Sequence, residues 1–188
     1  ITTWVGGKVD QEGAITVPAR LLAEFVGSLP AERIDMEATA RPHALRLVCG
    51  KSQARLIGTD ADEFPPLPKV QGGVTALLEP KSLRTAISQV AFSVATEDSR
   101  PVLTGIKVEL DGDRFTFAAA DGFRLSVHKG RLAQAVPEPT HAIVPARAFN
   151  ELNRLLGDQD QPVEMVLDPA KGQVMFRLKD IEMISQLI

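Results

Sequence analysis

The sequence predicts an α+β layered fold, with amphipathic helices set on antiparallel sheets. Three observations carry that expectation. Val17-Pro18-Ala19-Arg20 recurs as Val144-Pro145-Ala146-Arg147, with Ala14-Ile15 before the first copy and Ala142-Ile143 before the second. After each copy come a helical stretch and short β-like runs, so a whole unit is repeated. The same order of strand, helix and three strands occurs a third time between them. Helices at intervals among antiparallel strands bury one face against a sheet.

The elements follow in order. Trp4–Val9 and Ala14–Val17 read as strands around the turn Asp10-Gln11-Glu12-Gly13. Pro18 suits the first turn of a helix, and Leu22, Phe25, Val26 and Leu29 share one face of it before Pro30 ends it. Three strands are expected at Ile34–Ala38, Leu45–Cys49 and Gln53–Gly58. The segment Thr59–Gly73 holds Asp60, Asp62, Glu63, Pro65, Pro66 and Pro68 and then Gly72-Gly73. It reads as a solvated connector, because its acids lack further metal ligands.

Val74–Leu78 is a strand, and Pro80–Ala95 a helix with Leu83, Ile87, Val90 and Val94 in one stripe. Lys81, Arg84, Thr85 and Ser88 fall opposite, and no acid lies between Pro80 and Ala95. Phe92 does not fit that polar side, and is expected where the helix is ending. Val102–Leu110 and Arg114–Ala120 flank the turn Asp111-Gly112-Asp113, and Asp121-Gly122 leads into Phe123–Lys129. After the repeated helix Pro145–Leu156 come strands at Val163–Leu167, Val174–Leu178 and Ile181–Ile188. The start at Ile1 without Met is read as that of a fragment or a processed chain, and a natural terminus is not expected to stop in a strand as this one does.

Composition narrows the function classes. Apolar residues make up 44% and charged residues 24%, ordinary values for a globular protein. No run approaches the length of a membrane span. The single Cys49 cannot form an internal disulfide and fits a buried thiol in the cytoplasm. Net charge is −3, whereas a simple nucleic-acid binder would be basic. The distribution matters more than the sum: Arg20, Lys81, Arg84, Arg147 and Arg154 lie on helices, with Asp111, Asp113, Asp158 and Asp160 in turns. His43, His128 and His141 are scattered, and there is no catalytic triad context, metal-spaced cluster or phosphate loop. Neither catalysis nor a cofactor is expected.

Ala142-Ile143-Val144-Pro145-Ala146-Arg147, Ala120-Asp121-Gly122-Phe123-Arg124-Leu125 and Asp62-Glu63-Phe64-Pro65, in this order and spacing, resemble the bacterial DNA polymerase III β subunit family, the sliding clamps. The resemblance covers essentially the whole chain. It implies the DNA-clamp fold, built from repeated βαβββ units. Residues 1–68 would be the C-terminal half of a first clamp domain, 69–73 a linker, and 74–188 most of a second. It implies a processivity factor that encircles duplex DNA without reading its sequence, as a homodimeric ring with helices lining the hole. Arg20, Lys81, Arg84, Arg147 and Arg154 would then make weak phosphate contacts. Glu97 and Pro101-Val102 stand where some clamps place polar or aromatic groups that touch DNA. Carried over by position, Leu103, Ala120, Gly122, Phe123, Arg124 and Leu125 would line a groove for short peptides from the polymerase III catalytic subunit, the clamp loader and other partners. Phe123 stands where some members have His. Ala54 and Leu56 would be buried side chains of an edge strand that pairs with a neighbouring protomer. The alternative is an α+β module that binds peptides or proteins but not DNA.

Overall fold

The computed structural model describes residues 1–97 and 99–188. They form two compact units, Gly7–Leu67 and Ile1–Gly6 with Pro68–Ile188. The second therefore takes in the first six residues, which the sequence alone assigns to the other unit.

The chain opens with a two-residue strand, β1 (Thr2–Thr3), paired antiparallel with Glu182 and Ile181. Trp4 N–H donates to Asp180 O at 2.9 Å, and there the pairing stops. The expected strand Trp4–Val9 does not form: Gly6-Gly7 interrupts it, and Trp4, Val5 and Val9 are exposed. Of Ala14–Val17 only an isolated bridge from Thr16 to Thr59 is present.

Within Gly7–Leu67, α1 (Ala19–Gly27) precedes an antiparallel sheet of β2 (Asp35–Ala40), β3 (His43–Cys49) and β4 (Ser52–Ile57), in the order β2-β3-β4. Leu45, Leu47 and Cys49 alternate onto one buried face of β3. Helix α1 has the expected apolar face but no buried residue: Leu22 and Phe25 are half-buried, and Leu21 and Val26 are exposed.

The larger unit holds two copies of the repeated order. The first is β5 (Val74–Leu78), α2 (Pro80–Val90), β6 (Gly105–Asp111), β7 (Arg114–Ala120) and β8 (Leu125–Arg131). The second is β9 (Thr140–Pro145), α3 (Ala146–Leu155), β10 (Val163–Asp168), β11 (Gln173–Arg177) and β12 (Ile181–Gln186). The copies exchange strands. One sheet runs β8-β7-β6-β9 and the other β1-β12-β11-β10-β5, so each copy lends its first strand to the other's sheet. Leu83, Ala86, Ile87 and Val90 of α2 are buried, as are Ala146, Ala148, Phe149 and Leu152 of α3. The rings of Phe115 and Phe117 on β7, Phe149 on α3 and Phe176 on β11 form a chain with centroid spacings of 5.0, 4.9 and 5.6 Å. Phe149 thus joins the two sheets through one helix, at spacings favourable for aromatic pairs.

Helix α2 is shorter than expected. It stops at Val90, and Ala91–Ser93 form a 3-10 turn, so Val94 lies beyond the stripe and Phe92 is on the surface. The expected strand Val102–Leu110 begins only at Gly105, because Pro101–Thr104 coil into another 3-10 turn.

Candidate nucleic-acid and peptide interfaces

Helices α2 and α3 lie side by side and turn polar faces outward. On α2, Pro80 occupies the first turn, and Lys81, Arg84, Thr85 and Ser88 are exposed. The hydroxyls of Thr85 and Ser88 donate back to Lys81 O and Thr85 O, at 2.9 Å each. On α3, Arg147, Asn150 and Arg154 are exposed. Arg154 Nη1 pairs with Glu151 Oε2 at 3.1 Å. Among the described residues, Lys81 and Arg147 make no ion pair. Arg84 Nη2 donates to Gly157 O at 2.6 Å, a bond from α2 to the end of α3. Arg20, on α1 in the other unit, pairs with Glu24 at 2.7 Å.

The second locus is the turn between β7 and β8. Asp121 organises it: Oδ1 accepts from Phe123 N at 2.9 Å and Arg124 N at 3.0 Å, and Oδ2 accepts from Arg124 Nε at 2.9 Å. The two backbone bonds, and then the Arg124 charge, hold the Asp121 carboxyl below its ordinary pKa. Gly122 has φ +96°, a conformation that glycine adopts at least cost. A Cβ there would also stand 3.2 Å from Arg100 Nη1.

This turn brings Ala120, Gly122, Phe123, Arg124 and Leu125 together. Leu103 arrives on the preceding segment: its N–H donates to Arg100 O, its carbonyl accepts from Ala95 N, and Arg100 Nη2 reaches Asp121 O at 3.4 Å. Phe123 is 97% exposed and Leu125 69%, while Leu103 and Ala120 are half-buried. Phe92, 58% exposed, lies under the Arg124 guanidinium, 5.6 Å from ring centre to Cζ. Val102 and Val127 add to the exposed apolar surface. Sequence reasoning did not place Phe92 or Arg100 at this locus. The misfit of Phe92 on a polar helix face was the available signal.

The third locus is β4, which among the described residues pairs with β3 alone. Ala54 and Leu56 are half-buried, and Ile57 is exposed. On the opposite face, Arg46 and Arg55 stand directly across from each other in register, beside a surface pocket of about 480 Å³. Among the described residues, no helix is long and apolar enough to cross a membrane. Among the described residues, no three of His, Cys, Asp and Glu gather as metal ligands would.

The strand exchange, the paired helices and the turn at Asp121 define a clamp-type α+β protein. Residues 77–188 match the family of the DNA polymerase III beta subunit, central domain. The beta sliding clamp of Staphylococcus epidermidis is 30% identical over 181 residues, 96% of this chain and 47% of that protein. The DNA polymerase sliding clamp of Bacillus subtilis superposes with a TM-score of 0.88 at 28% identity, covering 96% of this chain and 47% of that one. The DNA polymerase III subunit beta of Pseudomonas aeruginosa gives 0.86 at 28%, covering 97% and 49%. The chain belongs to the bacterial sliding-clamp family, and spans about half the length of the curated relatives it matches.

Proposed function

We propose that this chain is part of a non-catalytic processivity clamp that encircles duplex DNA and tethers the replicative polymerase. The observation that carries the reading is the side-by-side packing of α2 and α3, with Lys81, Arg147 and Arg154 outward and no acid on α2. A clamp must hold DNA and still slide. A few cations near phosphate give weak, sequence-independent attraction, whereas many tight contacts would arrest it. Arg20, within Gly7–Leu67, is assigned a weak phosphate contact of its own. Arg84 belongs to the same face as Lys81, although its guanidinium already has a partner.

Leu103, Ala120, Gly122, Phe123, Arg124 and Leu125 form the groove for partner peptides, including those of the polymerase III catalytic subunit and clamp loader. Exposed apolar side chains beside a fixed arginine suit a peptide that buries large side chains and covers their polar ends. The free edge of β4, with Ala54 and Leu56, is the seam of a homodimeric ring. Residues 1–68 are assigned to the C-terminal half of a first clamp domain, 69–73 to a linker and 74–188 to most of a second, although Ile1–Gly6 and Pro68 belong to the larger compact unit. The bare apolar face of α1 supports that half-domain assignment. The reducing cytoplasm suits the free, buried Cys49.

The test is the salt dependence of duplex-DNA binding by this chain, followed by fluorescence anisotropy. Replacing both Lys81 and Arg147 with Gln should flatten log Kd against log salt by roughly 1.8. An unchanged slope, with peptide binding intact, would favour the interaction module without DNA, the reading that the net charge of −3 supports.

A further inference from the structure

We propose that Arg84 is a positioning residue of the helical face rather than one of its phosphate ligands. The inference rests on the DNA-facing assignment of α2 and α3. In sequence, Arg84 is one more exposed cation on a polar helix face. In the structure its Nη2 is spent on Gly157 O at 2.6 Å, and no carboxylate among the described residues pairs with it.

The acceptor is particular. Helix α3 ends at Leu155, and its exit turn satisfies itself: Leu156 N–H donates to Leu152 O, and Gln159 N–H donates to Leu156 O, each at 2.9 Å. Gly157, with φ +43°, takes the left-handed conformation common just past a helix end. Its carbonyl is left over from that turn, and Arg84 reaches it from the neighbouring helix. A cation at a helix C-terminus also meets the negative end of the dipole.

The loop that Arg84 grips is anchored on its far side as well. Gln159 Oε1 accepts from Lys179 N at 3.2 Å, and Gln159 Nε2 donates to Gln161 O at 2.9 Å. Arg84 therefore links α2 to the exit of α3, and the exit of α3 is linked to the β11–β12 hairpin. The link ties the helix of Lys81 to the exit of the helix that carries Arg147 and Arg154, while the buried faces of both helices set where those cations stand. Asp158 and Asp160 follow Gly157 in the same loop, and neither pairs with Arg84, whose bond is to the Gly157 carbonyl. A lysine would keep the charge but lacks the guanidinium nitrogen that reaches Gly157 O from the longer arginine side chain.

Three variants of the full chain test this: Arg84→Gln, Arg84→Lys and, as a control, Lys81→Gln. Each is measured for the salt slope of duplex-DNA binding and for amide exchange at 156–161. Lys81→Gln should lower the slope by about 0.9. Arg84→Gln should leave the slope as in the parent while exchange at Leu156 and Gln159 rises about tenfold, the loop being freed to open locally. Arg84→Lys, which keeps the charge and loses the guanidinium nitrogen that reaches Gly157 O, should show the same faster exchange. A slope lowered by Arg84→Gln and restored by Arg84→Lys, with exchange unaltered, would make Arg84 a phosphate ligand and overturn the proposal. If Lys81→Gln also leaves the slope untouched, the DNA-facing assignment fails, and exchange alone still decides whether Arg84 holds the loop.

Discussion

Leu125→Ala separates a docking residue from a core residue. Leu125 opens β8, yet 69% of it faces solvent. Folding gains little from a side chain so exposed, so its truncation should shift stability by no more than about 0.5 kcal/mol. Binding has the remaining area to gain. Fully burying a leucine is worth about 1.5–3 kcal/mol, and roughly seven-tenths of that is still available here. A peptide that covers the site should therefore lose about 1–2 kcal/mol, or a 5- to 30-fold weaker Kd. Phe123, at 97% exposure, should behave likewise, with a larger loss on binding. The assay is titration of a Gln-led hydrophobic peptide by anisotropy, beside urea denaturation of the same variants. A large shift of the urea midpoint with unchanged peptide affinity would assign Leu125 to packing and refute the groove.

Phe149→Ala removes the ring that joins the two sheets through α3, and should cost about 3–5 kcal/mol in urea melts. A cost under about 1 kcal/mol would mean the aromatic chain is not continuous in solution. The Asp121 carboxyl is held below its ordinary range, so its contribution to the turn is complete above the unfolded value of about 4. It is lost as pH falls through the lower folded value. The amide shifts of Phe123 and Arg124 should be flat from pH 8 to about 5 and move only in more acidic solution; an inflection above pH 5 would contradict this. Gly122→Ala places a side chain at φ +96°, and should cost about 1–3 kcal/mol locally. Peptide binding should weaken, measured in the same anisotropy titration, and a full-affinity Ala variant would show that the turn tolerates the strain.

The parts of this protein legible in its sequence are those with a period or a punctuation mark. Leu83, Ile87 and Val90 repeat as one face of a helix must, and they are buried on α2. The turn Asp111-Gly112-Asp113 ends β6 and begins β7 as expected. Boundaries failed where a local signal competed with an absent or unsuspected partner. Trp4–Val9 alternates weakly, yet a strand needs a neighbour, and only Thr2 and Thr3 find one, in β12. Pro101 coils its segment into a 3-10 turn where apolar residues alone suggested strand. The site was partly legible, because Asp121-Gly122 announces a turn. The cation–π contact of Arg124 with Phe92, the reach of Arg100 to Asp121 and the bond of Arg84 to Gly157 were not. Each joins a long, flexible side chain to a partner distant in sequence, and such contacts leave no periodic trace.

The three copies of the unit also show what a helix of this kind needs. Helices α2 and α3 sit in one unit with two sheets, and each buries an apolar face there. Helix α1 follows the same Val-Pro-Ala-Arg phrase as α3, but its unit holds a single copy and a single three-stranded sheet. Its apolar face is accordingly half-covered at Leu22 and Phe25 and open at Leu21 and Val26. Nearly the same phrase thus gives a core helix or an uncovered one, depending on whether a second copy is packed against it. In the proposed assembly that second copy belongs to the first clamp domain, and its arrival would do for Phe25 what the two-sheet core does for Phe149. A chain extended by such a copy should protect the amides of α1 from exchange to the degree seen in α2 and α3, because apolar burial, more than helix propensity, sets the stability of so short a helix. Equal protection of α1 in the present chain would show that its exposed face needs no cover, and would remove the physical ground for the half-domain assignment.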